Sequence, residues 1–326
     1  MQMISKWAVA AGAAVTLLAG MSASHAQQTI HVGWTIPAEE SKYWMMRRPE
    51  QFPDLGKTYK VEWTQFQGTA PMTQALAAGA LDCATQAPLS LANGVVGGNL
   101  KAYIVAQHVF EKPGGFSVYW AVKDDSPIKT IADLKGKTVG ISVIGGGTQG
   151  PFNMLLKQNG VDPTKDIKLV EVGFAVSEDA LRQGRVDAVN MNQPFAAHAE
   201  AKGGTRKLFS LSQAMPNIVH ILEACRADFV NKNPDVVKAY VRDITLGMKK
   251  ALANRQETLE VVHEVLKAPI PVLDTYLLKD NDFGRDPGAA PNFPAIQKML
   301  DIYHDAGMLP KMDVAQFKGP ITAPIQ

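Results

Sequence analysis

Hydrophobic and polar positions alternate in regular blocks along the chain, most clearly between residues 126 and 195. Apolar runs of strand length, rich in β-branched residues, occupy positions 138–144, 167–172 and 186–191. Between these runs apolar residues recur at helical spacing, as at Phe152, Leu155 and Leu156, and a glycine follows each helical stretch. Strands separated by helices predict an α/β fold in which the sheet is mainly parallel.

The same order of strands and helices is predicted earlier, over residues 29–90. Matching strand positions are separated by 107, 106 and 105 residues, namely Gly33 and Gly140, Val61 and Ile167, and Asp82 and Asp187. The pattern Ala-Leu-x-x-Gly-x-x-Asp also occurs twice, at 75–82 and at 180–187. This nearly constant spacing predicts two similar α/β lobes.

Two further strand-like segments, residues 116–122 and 220–225, are expected to connect the lobes as a two-strand hinge. The chain after them has a helical pattern, with helices predicted at 234–254, 256–267, 271–279 and 295–306. These helices have no sheet partners of their own in the predicted order. We therefore expect them to pack on the first lobe.

Residues 1–26 have the pattern of a cleavable export signal. Lys6 supplies a positive charge, residues 8–19 are apolar, and residues 24–26 form a small-x-small cleavage site. The apolar run is too short to anchor the protein in a bilayer. The sequence therefore predicts a soluble mature protein in the periplasm.

Composition narrows the range of partners only slightly. Hydrophobic residues make up 46% and charged residues 20% of the 326 positions, which is typical of a soluble protein with one or two domains. The formal net charge of +2 is too small to indicate a nucleic-acid or membrane partner.

The two cysteines, Cys83 and Cys225, are far apart in the sequence. An exported protein could join them in a disulfide. The interpretation we favour from the sequence is that they are two buried, unbonded thiols that behave as small apolar residues.

One glycine-rich motif is similar to a dinucleotide-binding fingerprint. Residues 145–150 read Gly-x-Gly-x-x-Gly between a strand and a helix, and Glu171 ends the next strand. However, Pro151 removes a backbone N–H where a pyrophosphate needs donors. Nucleophile-elbow, zinc-protease and paired-histidine motifs are absent from the sequence, so no enzyme activity, cofactor or metal is predicted. Among the scattered histidines, His220 stands out because it lies at a predicted crossing.

Ligands of parallel sheets bind beyond the carboxyl ends of the strands. The loops at these ends are predicted at residues 34–41, 86–90, 145–150 and 192–195. Helix N-termini after such loops carry free N–H groups and a partial positive charge, so they favour anions. The side chains that could contact a ligand, or could instead cap helices or pack in the core, are Ser41, Thr69, Thr148, Lys42, Trp34 and Tyr43.

The chain resembles the periplasmic substrate-binding proteins of nitrate, taurine and sulfonate ABC importers. The resemblance is carried in the second lobe by SPIKTIADLKGKTVGIS, LLKQNGVDPTKDIKLVEV and ALRQGRVDAVNMNQPF. It continues in ALAAGALDCATQAPLSLANG in the first lobe and in DIYHDAGMLP near the end. These motifs are fairly specific for the broad family but not for a ligand.

The resemblance implies a two-lobed periplasmic binding protein fold of the type II-like class. Residues 27–117 and 223–326 would form lobe 1, and residues 118–222 would form lobe 2. Carried over by position, the expected ligand-binding residues are Trp34, Ser41, Lys42, Tyr43, Gly68, Thr69, Gln86, Ala87, Pro88, Gly146, Gly147, Thr148, Gln149, Asn192 and Gln193.

The function that the resemblance implies is capture of a small ligand by a monomer and its delivery to a membrane permease with a cytoplasmic ATPase. The aromatic residues of the loop 34–44 favour an organic anion, a sulfonate or carboxylate that could be aromatic, over nitrate. Two alternatives stay open from the sequence. One is an enzyme on the same scaffold, of the thiamine-precursor or dinucleotide-dependent type, and the other is a ligand sensor for a membrane receptor.

Overall fold

The computed structural model describes residues 27–215 and 217–325, so the predicted export signal lies outside the described residues. The first five-stranded sheet contains β1 (Gln28–Trp34), β2 (Tyr59–Gln65), β3 (Cys83–Gln86), β4 (Ala102–Phe110) and β10 (Val219–Arg226). The second sheet contains β5 (Tyr119–Lys123), β6 (Thr138–Ile141), β7 (Lys168–Glu171), β8 (Ala188–Met191) and β9 (Thr205–Ser210).

The two sheets have matching topologies, with strand orders β2-β1-β3-β10-β4 and β7-β6-β8-β5-β9. In each sheet the first three strands are parallel and the fourth is antiparallel to both of its neighbours. The predicted α/β fold with two similar lobes is therefore confirmed. The second sheet is built from the consecutive strands β5 to β9, whereas the first sheet is completed by β10, which returns to it after the second sheet is complete.

Helices cover the sheets. They are α1 (Glu40–Arg47), α2 (Thr69–Ala77), α3 (Pro88–Gly98), α4 (Gln149–Gln158), α5 (Ser177–Arg182), α6 (Phe195–Lys202), α7 (Ala227–Lys232), α8 (Pro234–Ala253), α9 (Arg255–Leu266), α10 (Ile270–Asp274) and α11 (Phe293–Asp305). As predicted, α8 and α9 pack on the first lobe, against α1, and α11 packs against α3. In the part of the chain that the structure describes, no helix is both long and apolar enough to cross a membrane.

The chain passes between the sheets twice, from β4 to β5 and from β9 to β10. Backbone hydrogen bonds join the two crossings, since the N–H of Glu111 donates to the carbonyl of Ile218 and the N–H of Leu211 donates to that of Val118. The two passages therefore lie side by side, as a hinge requires. The exact division of the chain into lobes stays a prediction.

The expectation of two unbonded thiols is wrong, because Cys83 and Cys225 form a disulfide. The two residues are direct partners in the antiparallel pairing of β3 with β10. Opposed residues in such a pair have neighbouring Cβ atoms, so the strand pairing brings the two sulfur atoms together. The 142-residue separation in sequence hid this proximity, since it includes the whole second lobe.

Each lobe has an aromatic core that holds its sheet in place. In the second lobe the Trp120 ring stacks on Phe152 and Phe209, with centroid distances of 4.3 and 5.4 Å. In the first lobe Tyr59 and Tyr240 meet edge to face at 5.9 Å. Stacked and edge-to-face pairs add to the burial of apolar area, so these contacts help to hold α4 and α8 on their sheets.

Candidate functional site

The loops at the carboxyl ends of the strands meet between the lobes around a cavity of about 60 Å³. The first sheet, which includes β10, and the segments packed on it supply Thr35, Ile36, Pro37, Gly68, Thr69, Ala87, His220, Ile221 and Phe283. The second lobe supplies Ser142, Val143, Gly146, Gly147, Thr148, Phe174 and Asn192. The volume is below the roughly 300–1,000 Å³ of typical ligand pockets, so the lobes lie close together in this structure.

Three helices begin at this cavity. The N-cap residues Gly68, Ala87 and Thr148 of α2, α3 and α4 all line it. Within the described residues no side chain caps α2 or α4. Free N–H groups at a helix start carry a partial positive charge, so the three helix ends together favour an anion.

Two buried polar atoms at the cavity lack a partner in the described part of the chain. They are the hydroxyl oxygen of Thr69, from the first lobe, and the amide nitrogen Nδ2 of Asn192, from the second. A buried polar atom without a hydrogen bond typically costs about 1–3 kcal/mol. A ligand with acceptor oxygens would satisfy both donors at once, and it would do so across the two lobes.

Most of the remaining lining is apolar, apart from Thr35, Ser142 and His220. Ile36, Phe174, Ile221 and Phe283 form walls, and no Asp, Glu, Lys or Arg is among the described residues that line the cavity. His220 is the titratable side chain of the lining, and its Nε2 lies 2.7 Å from Glu111 Oε1. Such a site suits a small molecule with an anionic head and an apolar body, because dipoles hold the charge while the walls exclude water.

Seven of the fifteen residues predicted for the site line this cavity. They are Gly68, Thr69, Ala87, Gly146, Gly147, Thr148 and Asn192. The other eight do not line it, namely Trp34, Ser41, Lys42, Tyr43, Gln86, Pro88, Gln149 and Gln193. As ligand contacts, all fifteen stay predictions.

Lys42 lies in a fully buried cluster behind the cavity. Its Nζ is 2.6 Å from Glu223 Oε2 and 3.2 Å from Glu39 Oε2, the second an ion-pair contact without hydrogen-bond geometry. Nζ also donates to Thr85 Oγ1 at 2.6 Å. Glu39 Oε1 accepts from the N–H of Thr35, so the cluster fixes the loop that lines the cavity.

The carboxyl groups of this cluster have shifted pKa values of opposite sign. Burial raises the pKa of Glu39, and the attraction of Lys42 only partly offsets it. Burial would also raise the pKa of Glu223, but the combined effect of Lys42 and His108 outweighs it and lowers that pKa. Lys42 therefore acts as the countercharge of two buried carboxyl groups.

The aromatic and hydroxyl side chains that were predicted as ligand contacts near Lys42 also lie in the interior of the protein. Trp34 and Tyr43 pack edge to face with ring centroids 6.0 Å apart, and the Tyr43 hydroxyl donates to the carbonyl of Thr35. The Ser41 hydroxyl lies 3.0 Å from Nδ1 of His108. These side chains support the loop rather than line the cavity.

Two of the amide side chains predicted as ligand contacts instead accept hydrogen bonds from nearby backbone N–H groups. Gln149 Oε1 accepts from the N–H of Gly145, and Gln193 Oε1 accepts from that of Ala197. Both contacts shape the loops at the start of helices in the second lobe.

Two of the predicted glycines, Gly68 and Gly147, lie where the two lobes are in contact. A Cβ atom on Gly68 would lie 2.5 Å from the Val143 side chain, and one on Gly147 would lie 2.5 Å from Ala87 Cβ. Each of these pairs joins residues from opposite lobes. The glycines are therefore required for the observed approach of the lobes, whatever the ligand.

Several lining residues were not predicted as contacts, notably Phe174, His220, Ile221 and Phe283. His220 carried a signal, because it lies at a predicted crossing. Phe283 lies in a loop that the sequence assigned to the C-terminal helical part, so nothing in the pattern connected it with the cleft. Across residues 27–215 and 217–325, no group of three His, Cys, Asp or Glu side chains is placed to hold a metal ion.

Comparison with known proteins places this fold among binding proteins. Residues 59–258 match the protein family described as NMT1/THI5 like. A curated Escherichia coli protein named for the binding of aliphatic sulfonates is 24% identical over 258 residues, covering 79% of this chain and 78% of that protein. A Brachyspira hyodysenteriae protein named as an ABC transporter periplasmic binding protein is 31% identical over 161 residues, or 44% of each chain.

Solved structures share the fold at lower identity. The alkanesulfonate-binding protein SsuA from Xanthomonas axonopodis pv. citri, bound to MOPS, superimposes with a TM-score of 0.73 at 18% identity, covering 90% of this chain and 99% of that one. The nitrate-binding protein NrtA from Synechocystis gives 0.68 at 16% identity, covering 89% and 84%. The predicted resemblance to binding proteins of ABC importers and the two-lobed fold are confirmed, and all four of these proteins are named as binding proteins.

Proposed function

This chain belongs to the NMT1/THI5 like family, and we propose that within it the protein is a periplasmic solute-binding protein that captures a small organic anion for an ABC importer. One relative is named as an aliphatic sulfonates-binding protein, and another is named as a periplasmic binding protein of an ABC transporter. The ligand would lie in the cavity between the lobes, and the cleavable segment at residues 1–26 would direct the chain to the periplasm.

One observation carries the choice of an anion. Thr69 Oγ1 and Asn192 Nδ2 are buried at the cavity without partners in the described chain, and the helices α2, α3 and α4 begin there. Donors from both lobes thus converge on a space whose described lining has no acidic side chain. An anionic oxygen cluster is the group that accepts from all of them.

The apolar walls favour an organic anion over an inorganic one. Ile36, Phe174, Ile221 and Phe283 offer apolar surface that nitrate cannot use, whereas a sulfonate or carboxylate with an alkyl or aryl group can. Burial of such a group contributes about 25 cal/mol for each Å² of apolar area. We therefore propose an alkyl or aryl sulfonate or carboxylate as the ligand.

Binding would work as a clamp. Only a closed arrangement allows one ligand to contact Thr69 and Asn192 together, so the ligand shifts the population of open and closed forms toward the closed one. For this motion we propose that residues 27–117 with 223–326 move as one lobe and residues 118–222 as the other. The closed monomer would then deliver its ligand to a permease coupled to a cytoplasmic ATPase.

The test is a binding screen of the purified protein with ethanesulfonate, taurine, benzenesulfonate, benzoate and nitrate. We expect at least one organic anion to raise the melting temperature and to bind with one-to-one stoichiometry in calorimetry. If every organic anion leaves the melting temperature unchanged, the proposed ligand class is wrong. If nitrate alone binds, the apolar walls do not select the ligand.

Substitutions at the unpartnered donors test the site itself. Asn192→Asp replaces a donor with a carboxylate of the same shape, so we expect anion affinity to fall more than about tenfold. Thr69→Val removes the hydroxyl and should weaken binding about 2- to 10-fold. The exposed residue Asn231 offers a matched control, because Asn231→Asp makes the same chemical change on α7, outside the lining. Equal affinities of the two Asp variants would place the ligand elsewhere.

Transport and sensing are separated by an uptake measurement. In the transport role, deletion of the gene should abolish uptake of the isotopically labelled ligand at low concentration, and the wild-type gene should restore it. If the protein is instead a sensor, deletion of its gene should leave the uptake rate unchanged when the importer genes are expressed from an independent promoter.

A further inference from the structure

Glu111 and His220 form a buried pair at the junction of the hinge and the cavity. Glu111 directly follows β4, where the chain leaves the first lobe, and His220 lies near the start of β10, where it returns. His220 Nε2 is 2.7 Å from Glu111 Oε1, which also accepts from the N–H of Val118 in the first crossing. Glu111 is 3% exposed and His220 is 9% exposed.

The pair leaves two atoms unused. Glu111 Oε2 is buried without a hydrogen-bond partner in the described chain. His220 lines the cavity, and because its Nε2 is bound to Glu111, Nδ1 is the ring nitrogen left for a ligand. No hydrogen bond from Nδ1 to another described residue is present.

The number of protons on this pair decides both its net charge and whether Nδ1 donates or accepts a hydrogen bond. If Glu111 is ionised and His220 is neutral, with its proton on Nε2, the pair has a net charge of −1 and Nδ1 is an acceptor. One additional proton makes the pair neutral. Nδ1 then carries a hydrogen and is a donor, whether the shared proton lies nearer to nitrogen or to oxygen.

We propose that His220 is a specificity-determining residue that donates Nδ1–H to an anionic ligand, with Glu111 as its positioning residue, and that ligand binding takes up a proton at this pair. This inference rests on the proposed function. The neutral, protonated pair attracts an anion, whereas the pair with charge −1 repels it and offers only an acceptor. Anion affinity should therefore be highest at low pH and should fall as the pair loses its proton.

The other charged groups near His220 are paired with other residues or are partly exposed to solvent. Near His220, the other charged or titratable residues are His108, Lys112, Glu223, Asp282 and Arg285. The remaining ones on β4, β10 and α7 lie at the opposite end of these strands, namely Tyr103, Arg226, Asp228 and Lys232. Glu223 is held by Lys42 at 2.6 Å, and Asp282 is held by Arg285 at 2.8 Å. His108 is bound within the same cluster as Glu223, and Lys112 is partly exposed. Within the described residues, Glu111 is thus the acidic partner of His220.

The experiment uses calorimetry of the full mature protein with ethanesulfonate, benzenesulfonate and benzoate at several pH values from about 6 to 8.5. These probes stay fully ionised over that range, so any pH dependence belongs to the protein. Wild-type affinity should fall with rising pH by at most about tenfold per unit, the limit for one proton. Binding in buffers of different ionisation enthalpy should show uptake of up to one proton.

Two substitutions separate the contact with Glu111 from the contact with the ligand. His220→Gln places an amide near the position of Nε2, so it can keep the bond to Glu111 but has no group at Nδ1. We expect nearly unchanged thermal stability without ligand, no proton uptake, and affinity about 10- to 100-fold lower at pH 6. His220→Asn places its amide near Nδ1 and should bind with an affinity that does not depend on pH.

His198 provides the matched control, because its Nδ1 is 2.7 Å from Glu178 Oε2 in a similar pair outside this cavity. His198→Gln should leave both affinity and proton uptake unchanged. If the probes bind the wild type without proton uptake and His220→Gln binds equally well at pH 6, this inference is wrong while the proposed function stands. If no probe binds the wild type, both fail.

Should His220→Gln not fold, nuclear magnetic resonance of the wild-type ring decides the question. Addition of a bound probe at about pH 7.5 should move the His220 ring signals toward those of the protonated form. Unchanged ring signals in the saturated complex would overturn the inference.

Discussion

Replacement of Lys42 by Met distinguishes a ligand contact from a structural countercharge. The Lys42 side chain is fully buried between Glu39 and Glu223, at 3.2 and 2.6 Å. Met has a similar length and no charge, so Lys42→Met leaves two buried carboxyl groups without their cation. Removal of one partner from a buried ion pair typically costs about 3–5 kcal/mol. At about 2–4 °C for each kcal/mol, the melting temperature should fall by about 6–20 °C.

The pH dependence of this loss has a definite sign. In the wild type the lowered pKa of Glu223 contributes stability that is present above the ordinary carboxyl pKa of about 4.3 and is lost as the pH falls further. Without Lys42, burial would raise the pKa of both carboxyl groups. Protonation of these carboxyl groups then removes the uncompensated charge. The loss of stability caused by Lys42→Met should therefore shrink as the pH is lowered from about 8 to 5.

The assay is thermal unfolding followed by circular dichroism at several pH values, together with calorimetric binding of the best ligand. Lys249→Met is the control, since Lys249 is exposed on α8 and its loss should change stability by less than about 0.5 kcal/mol. A Lys42→Met variant with wild-type stability and abolished binding would refute the reasoning. It would assign Lys42 to the ligand, as the sequence suggested.

Three further changes test other features of the structure. Gly147→Ala should lower ligand affinity at least severalfold in calorimetry, because its methyl group would obstruct lobe approach, whereas Gly97→Ala has open space and should bind normally. The double variant Cys83→Ser/Cys225→Ser should lose about 2–5 kcal/mol in denaturant unfolding, an effect that a reductant should reproduce in the wild type. Burial raises the pKa of Asp243 to about 6, although its hydrogen bond from Tyr59 opposes the shift. Folded Asp243 thus keeps its proton where the unfolded chain loses it, so stability should fall from pH 4 to 6, and Asp243→Asn should remove that component in melting curves.

The sheets could be predicted because their central strands are buried on both faces and therefore read as continuous apolar runs. The strand Thr205–Ser210 was missed for the opposite reason. It lies at the edge of the second sheet, and five of its six side chains are at least partly exposed. Its sequence TRKLFS carries charged residues that suit an edge strand but give no clear strand pattern.

The site was predictable as a set of loops but not as a set of side chains. Parallel strands place their following loops at one edge of a sheet, and this rule brings Thr148 and Asn192 together in the second lobe. Thr69 follows a strand of the first sheet, so its place opposite them depended on the two-lobed fold that the family resemblance implied. The direction of each side chain depends on local helix phase and on packing, which composition does not reveal. Lys42 points into the first lobe for that reason, whereas Phe283 reaches the cavity from a loop near the end of the chain.

Two kinds of residue in the cavity therefore have separable effects on binding. Gly68 and Gly147 allow the lobes to approach, and this geometry is the same for every ligand that requires closure. Thr69 and Asn192 instead present donors that only some ligands can satisfy. A methyl group at Gly147 should consequently weaken all ligands by a similar factor and preserve their ranking. A change at Asn192 should reorder them, because ligands that use its amide lose a contact and the others do not.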